Sequence, residues 1–260
     1  MPDVVVESTN AAPRRGRGRG GFSFVGVLGE LLVTAGALVL LFLGWQLWWN
    51  DAISAAQQSS AASALSNRWH QAVPPSGAGD APEPHVEPLV ADGAPGYGEP
   101  FAVMYVPRFG EDSQRTIAEG TGLDVLNSVE SGVGHYQGTQ MPGAVGNFAI
   151  AAHRSAYGGG MHEIDQLRVG DGIHIQTRDG WYTYRFRDLE YVTPDTVEVL
   201  APVPHRPGTA PIDRIITLTT CNPLYSTAER IIAYGVFESW RPAADGPPGE
   251  IAAAVAEWGR

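Results

Sequence analysis

From Leu31 to Asn50 the sequence reads LLVTAGALVLLFLGWQLWWN, 20 residues without a charge. As a helix rising about 1.5 Å per residue, such a run crosses the roughly 30 Å hydrocarbon layer of a bilayer. Trp45, Trp48 and Trp49 crowd its C-terminal end, where indole rings favour the headgroup region, and Arg14, Arg15, Arg17 and Arg19 precede it. The positive-inside rule then puts the N-terminus in the cytoplasm and residues 51–260 outside, a single-pass arrangement. A cleaved secretory signal has a shorter apolar stretch of about 7–15 residues. The run therefore reads as a retained anchor, although the small residues from Ala52 to Ala56 resemble a cleavage site. Glu30 reads as a carboxylate at the inner interface.

This anchor divides the charge in two. The whole chain carries 17 Arg and no Lys against 28 acids, a net charge of −11. Beyond residue 50 the balance is 13 Arg against 25 acids. An acidic outer part argues against nucleic acid as a partner, because phosphate contacts need a basic face. The chain has one cysteine, Cys221, so it can form neither an internal disulfide nor a cysteine-cluster metal site. No cofactor or metal is expected; His162-Glu163 lacks the second His of a zinc-peptidase motif.

Texture sets the segment boundaries: a cytoplasmic Arg-rich tail at 1–23, a transmembrane helix at 24–50, a Pro/Ala/Ser-rich stalk at 51–98, a β domain at 99–240 and a C-terminal extension at 241–260. The stalk shows no sustained apolar periodicity and contains PPSGAGDAPEP. It reads as a helical start fraying into an extended tether, with too little to bury against the entropy of ordering. No internal repeat is present. In the β domain, short β-branched and aromatic runs are separated by Gly, Pro and Asp: FAVMYVP at 101–107, NFAIAAH at 147–153, GIHIQTR at 172–178, WYTYRFRD at 181–188, RIITLTT at 214–220 and ERIIAYGVF at 229–237. This pattern predicts a sandwich or barrel. RDG at 178–180 reads as a hairpin turn, and short helices are expected near 122–128, 162–168 and from about Glu250.

Cys221 ends the RIITLTT strand and is followed by Asn222-Pro223, which puts it where a strand opens into a loop. By position alone it reads equally as a small buried hydrophobe or as a nucleophile. A nucleophilic thiol needs a base or cation nearby to raise its thiolate fraction. His153, at the end of NFAIAAH, and Arg230, opening a strand that returns antiparallel after an eight-residue loop, are the candidates. Separately, an imidazole ending a strand reads as a cap and an arginine as a salt-bridge partner.

Together these residues resemble the signature of the sortases, membrane-anchored cysteine transpeptidases of Gram-positive bacteria. The resemblance rests on TLTTC at 217–221, Arg230 nine positions on, and His153 within GHYQGTQMPGAVGNFAIAAHR at 134–154, supported by IDQLRVGD at 164–171. The Arg-rich tail, GELLVTAG membrane entry, Trp-rich exit and Pro/Ala stalk are similar to class E, the housekeeping class of high-GC actinobacteria. Two departures stand out: AAHR where AGHR is expected, and Asn222 where a His or basic residue is frequent.

The resemblance implies a closed eight-stranded β-barrel with short helices and adjacent Cys and Arg strands. It also implies a mechanism. Cys221 attacks the Thr carbonyl of a C-terminal Leu-Pro-X-Thr-Gly or Leu-Ala-X-Thr-Gly signal, Arg230 stabilises the oxyanion, and His153 protonates the departing Gly amine. The thioacyl enzyme then passes the surface protein to an amine of a lipid-linked peptidoglycan precursor. A thiol hydrolase, another cell-wall cysteine transpeptidase and a silent anchored binding domain are the alternatives. His135, Tyr157 and Thr220 are candidate substrate contacts, each set against simple packing; His85, His174 and His205 read as solvated.

Overall fold

The computed structural model describes residues 23–45, 49–72 and 87–258. The Arg cluster, Trp48, His85 and PPSGAGDAPEP lie outside the described residues. The chain divides into two compact units, Met1–Trp45 and Gln46–Arg260. Within the first, helix α1, Phe24–Gly44, buries none of its side chains and is long and apolar enough to cross a membrane.

In the second unit eight strands close into a barrel: β1, Pro100–Tyr105; β2, Arg115–Glu119; β3, Gly132–His135; β4, Gly146–Ala152; β5, Gly172–Gln176; β6, Gly180–Val192; β7, Arg214–Asn222; and β8, Glu229–Pro242. Around the barrel the order is β1-β2-β3-β4-β7-β8-β6-β5. This is the expected eight-stranded barrel. Two pairings are parallel, β2 with β3 and β4 with β7. The others are antiparallel, including the β5–β6 hairpin at the RDG turn. Of the predicted short helices, 122–128 contains α3, Leu123–Leu126, and 162–168 contains a single 3-10 turn, Ile164–Gln166.

Side chains alternate along a strand, so each strand has an inward and an outward set. The inward sets of the central strands are Phe148, Ile150 and Ala152 on β4, Ile216 and Leu218 on β7, and Ile231 and Ala233 on β8, all within one buried cluster. Outward residues on β1, β5 and β6 are covered by two helices. Helix α2, Asn50–Ala72, packs Ala62 and Leu65 against Val103, with Trp69 beside them. Helix α4, Ala252–Trp258, follows Ile251 onto the barrel, where Ile251 and Val255 meet Tyr105 and Trp181. The two helices are joined where Asn67 Nδ2 donates to the Trp258 carbonyl at 2.7 Å.

Two expectations change. The first half of the segment read as a stalk is a 23-residue helix lying on the barrel. Its buried face is Gln58, Ser59, Ala62, Leu65 and Ser66, spaced for one side of a helix but mostly not apolar. His174, read as solvated, has no exposed surface. It points outward from β5, but the segment leading into α4 covers it, with Glu250 3.5 Å from its Nε2 and Thr183 Oγ1 3.2 Å from its Nδ1. His205 does remain partly exposed, held 2.6 Å from Glu190.

Candidate active site

Register assembles the site. On β4 and β7 the parallel pairing runs from Gly146 with Arg214 to Ala151 with Thr219. Two residues further along each strand, His153 and Cys221 come level. On β7 and β8 the antiparallel pairing sets Cys221 directly opposite Arg230. The inward sets are even-numbered on β4 and β7 and odd-numbered on β8. His153, just past the end of β4, Cys221 and Arg230 therefore form a row on the outer face at the ends of three adjacent strands. The ladder thus brings together the three residues singled out in the sequence.

Each member is held differently. Cys221 is partly exposed and a free thiol. Arg230 uses Nη1 to donate to the Thr227 and Glu229 carbonyls, at 3.0 and 2.9 Å, and makes no ion pair among the described residues. A guanidinium without a carboxylate partner keeps its donors for developing negative charge. His153 Nε2 lies 2.8 Å from Asn127 Oδ1. Because that oxygen accepts, Nε2 carries the proton and Nδ1 holds the lone pair of the neutral ring. The Tyr157 ring packs at 5.2 Å between centroids. Burial pushes the His153 pKa below its ordinary value, and the Asp51 carboxylate opposes that shift.

A second layer fixes these loops. Arg154, almost wholly buried, donates to Asn222 Oδ1 and, at 2.7 Å, to Asp165. Asn222 Nδ2 donates in turn to Glu229 at 2.8 Å. Both chain neighbours of the catalytic candidates are thus clamped together, and Asn222 serves as the bridge. The loop after β7 is tied to the loop after β4 where the Tyr225 N–H donates to Ser155 Oγ at 3.0 Å.

The matched region of the sortase-domain family model is residues 104–238, which spans the row and most of the barrel. The chain belongs to the sortase family. It is 32% identical to sortase SrtE2 of Streptomyces coelicolor over 87% of both chains. It is 35% identical to SrtE1 of the same organism over 85% of this chain, but that match spans only 59% of SrtE1. Among solved structures, the SrtA sortase from Actinomyces oris aligns with a TM-score of 0.60 at 39% identity, covering 64% of this chain and 95% of that one. Sortase E from Streptomyces avermitilis aligns at 0.53 and 38% identity, covering 59% and 97%. These neighbours agree with the class E resemblance.

The remaining candidates fall elsewhere in this sortase. His135 is fully buried, with Nδ1 2.6 Å from Glu119 and its ring against Phe148, so it has no surface to offer a substrate. Thr220 points inward and donates to the Ala152 carbonyl at 2.8 Å, locking β7 to β4. Tyr157 is exposed beside His153 and remains available. Sequence reasoning missed Asn127, Asp165 and Glu229. Asp165 lies within IDQLRVGD and Glu229 opens ERIIAYGVF, but neither segment marks its acid as a partner of the site; Arg154 and Asn222 carried a signal as neighbours of His153 and Cys221.

Proposed function

We propose that this sortase is a membrane-anchored cysteine transpeptidase. It cleaves a C-terminal Leu-Pro-X-Thr-Gly or Leu-Ala-X-Thr-Gly signal between Thr and Gly and joins the Thr carbonyl to a cell-wall amine. The observation that carries this reading is the level row of His153, Cys221 and Arg230 on β4, β7 and β8. A tripeptide occupies the active site of the Streptomyces coelicolor sortase E1 structure, which aligns at a TM-score of 0.53 and supports a peptide substrate here.

The chemistry follows from the roles. The Cys221 thiolate attacks the Thr carbonyl carbon, and the oxyanion forms beside the Arg230 guanidinium. As the C–N bond breaks, the His153 imidazolium gives its proton to the Gly nitrogen, leaving a thioester and a neutral ring. The acceptor amine attacks the thioester, His153 takes its proton, and the Cys221 sulfur departs as thiolate. The first step needs thiolate and imidazolium together, and burial of His153 disfavours the imidazolium. In cells the acceptor is a lipid-linked peptidoglycan precursor, with α1 as the anchor and residues 51–260 outside, as the Arg-flanked apolar run favours.

The test is to incubate the full chain in micelles with each pentapeptide and a glycine or diaminopimelate amine, and to follow products and intact mass. A ligated product and a thioester adduct, both lost in Cys221→Ala, are expected. Hydrolysis without ligation would reassign the chain as a thiol hydrolase. No covalent adduct with any peptide would make it a binding domain.

A further inference from the structure

We propose that α2 is part of the catalytic apparatus, with Gln58 and Asp51 as positioning residues that hold the loop behind His153. This inference rests on His153 acting as the acid and base of the proposed transfer. The loop needs holding: Tyr157, Gly158 and Gly159 all have positive φ, at 49°, 88° and 50°. For Tyr157 that conformation is strained and persists only when the surroundings impose it. Tyr157 is the residue whose ring lies on His153.

Three consecutive backbone groups of this loop are tied to side chains from outside it. The Tyr157 carbonyl accepts from Gln58 Nε2 at 2.9 Å, the Gly158 N–H donates to Asp51 Oδ1 at 2.7 Å, and the Gly158 carbonyl accepts from Arg115 at 3.2 Å. Two of the three ties come from α2. Gln58 Nε2 also donates to the Ser128 carbonyl at 2.8 Å, next to Asn127, which holds the far side of the His153 ring. One buried amide thus links both segments that grip the imidazole.

Gln58 sits in a slot made for it. A Cβ on Gly132 would come within 2.4 Å of its Nε2, and a Cβ on Gly158 within 2.4 Å of its Oε1. Its Oε1 is buried without a partner among the described residues, so the amide is kept at this place despite one unmet hydrogen bond there. Among the described residues, Asp51 reaches His153 from α2, Arg230 and the Cys221 thiol share its row, Arg154 follows it in the chain, Arg115 on β2 holds the Gly158 carbonyl, and Tyr157 covers it from its own loop. Asp51 therefore has a second effect besides accepting the Gly158 N–H: its charge favours the imidazolium. This helix follows the apolar run in sequence, so the segment leaving the anchor doubles as the brace of the acid–base group.

The experiment uses the full chain in micelles and reads two quantities: the His153 imidazole titration by NMR, assigned with His153→Gln, and kcat and KM for sorting-peptide ligation. Gln58→Ala should lower kcat by about tenfold with KM nearly unchanged, since misplacing a reacting group is felt mainly in the chemical step. It should also raise the His153 pKa toward the ordinary value as the ring gains solvent. Asp51→Asn, which keeps the acceptor and removes the charge, should lower that pKa further. Leu65→Ala, on the same helix but away from the loop, should lower Tm and move neither reading. Gln58→Met keeps the side-chain bulk without a donor and replaces Gln58→Ala if that variant does not fold. A folded Gln58 variant whose His153 titration matches the wild type overturns the proposal. If the wild type ligates no peptide, the proposed function fails, while the titration still decides whether α2 positions His153.

Discussion

The contact between His153 and Asn127 invites a direct perturbation: Asn127→Asp. Asn127 Oδ1 lies 2.8 Å from His153 Nε2, and aspartate is nearly isosteric, so the substitution changes charge more than shape. Two unit charges about 4 Å apart attract by about 4 kcal/mol at an effective dielectric near 20 and by about 1 kcal/mol in water. His153 is half-buried, and its neighbour meets solvent too, so the gain falls toward the lower end. A value of about 1.4 kcal/mol in favour of the imidazolium corresponds to one pH unit. In the wild type, burial sets the imidazole below its ordinary value, so the acid limb of kcat/KM should lie below the usual histidine range. In Asn127→Asp that limb should move up by about one unit, and the NMR titration of His153 should move with it. The assay is the initial rate of peptide–amine ligation across the acid range. A limb that stays in place while the titration shifts would show that the His153 proton does not control the step. A titration that does not shift would show that the Asn127 contact is absent. The first outcome would remove the acid–base role of His153, and the second would remove Asn127 as its partner.

Other outcomes test the scaffold. Phe148→Ala empties part of the buried barrel interior and should cost about 3–5 kcal/mol, seen as a drop in Tm of about 10 °C. Gly134→Ala would bring a Cβ to 2.2 Å from the Gly120 carbonyl oxygen, so the β3 backbone must shift and Tm should fall; an unchanged Tm would refute that close approach. Glu250 is held down at about 2 by His174 and then Arg185, against the opposing effect of burial. A depressed carboxylate contributes stability above its unfolded value and loses it as pH falls through the folded one. The Tm difference between wild type and Glu250→Gln should therefore shrink from pH 4.5 toward 2.

What the sequence disclosed depended on whether local pattern or tertiary partners decided each element. The six segments with β-branched or aromatic runs announced β1, β4, β5, β6, β7 and β8. The other two strands, RTIAE and GVGH, carry no such run. Arg115, Thr116, Glu119 and His135 are buried in them because of what they meet across the fold, including the Glu119–His135 contact. A helical start was legible after residue 50, but the packing of α2 on the barrel was not, for a related reason. Gln58, Ala62, Leu65 and Ser66 recur at helical spacing, but an amide, a methyl and hydroxyls register as polar or neutral in a hydrophobic pattern. Cys221, His153 and Arg230 were legible because each terminates or opens a strand within a distinctive motif. Asn127 was not, since its role comes from a loop brought to His153 only by folding.

These differences imply a division of labour in the site. Lateral spacing between His153, Cys221 and Arg230 is a property of the β4–β7–β8 ladder, which is braced by the barrel interior and cannot be adjusted one residue at a time. The protonation state of the imidazole depends instead on groups attached more loosely: Asn127 on one loop, Tyr157 on another, and Asp51 on α2. Substitutions in the ladder should therefore lower activity and stability together, because moving one strand end disturbs the core beneath it. Substitutions at Asn127 and Asp51 should shift the pH dependence while leaving Tm nearly untouched. A barrel of this kind can then retune the His153 imidazole through the loops and the preceding helix without disturbing the row of His153, Cys221 and Arg230.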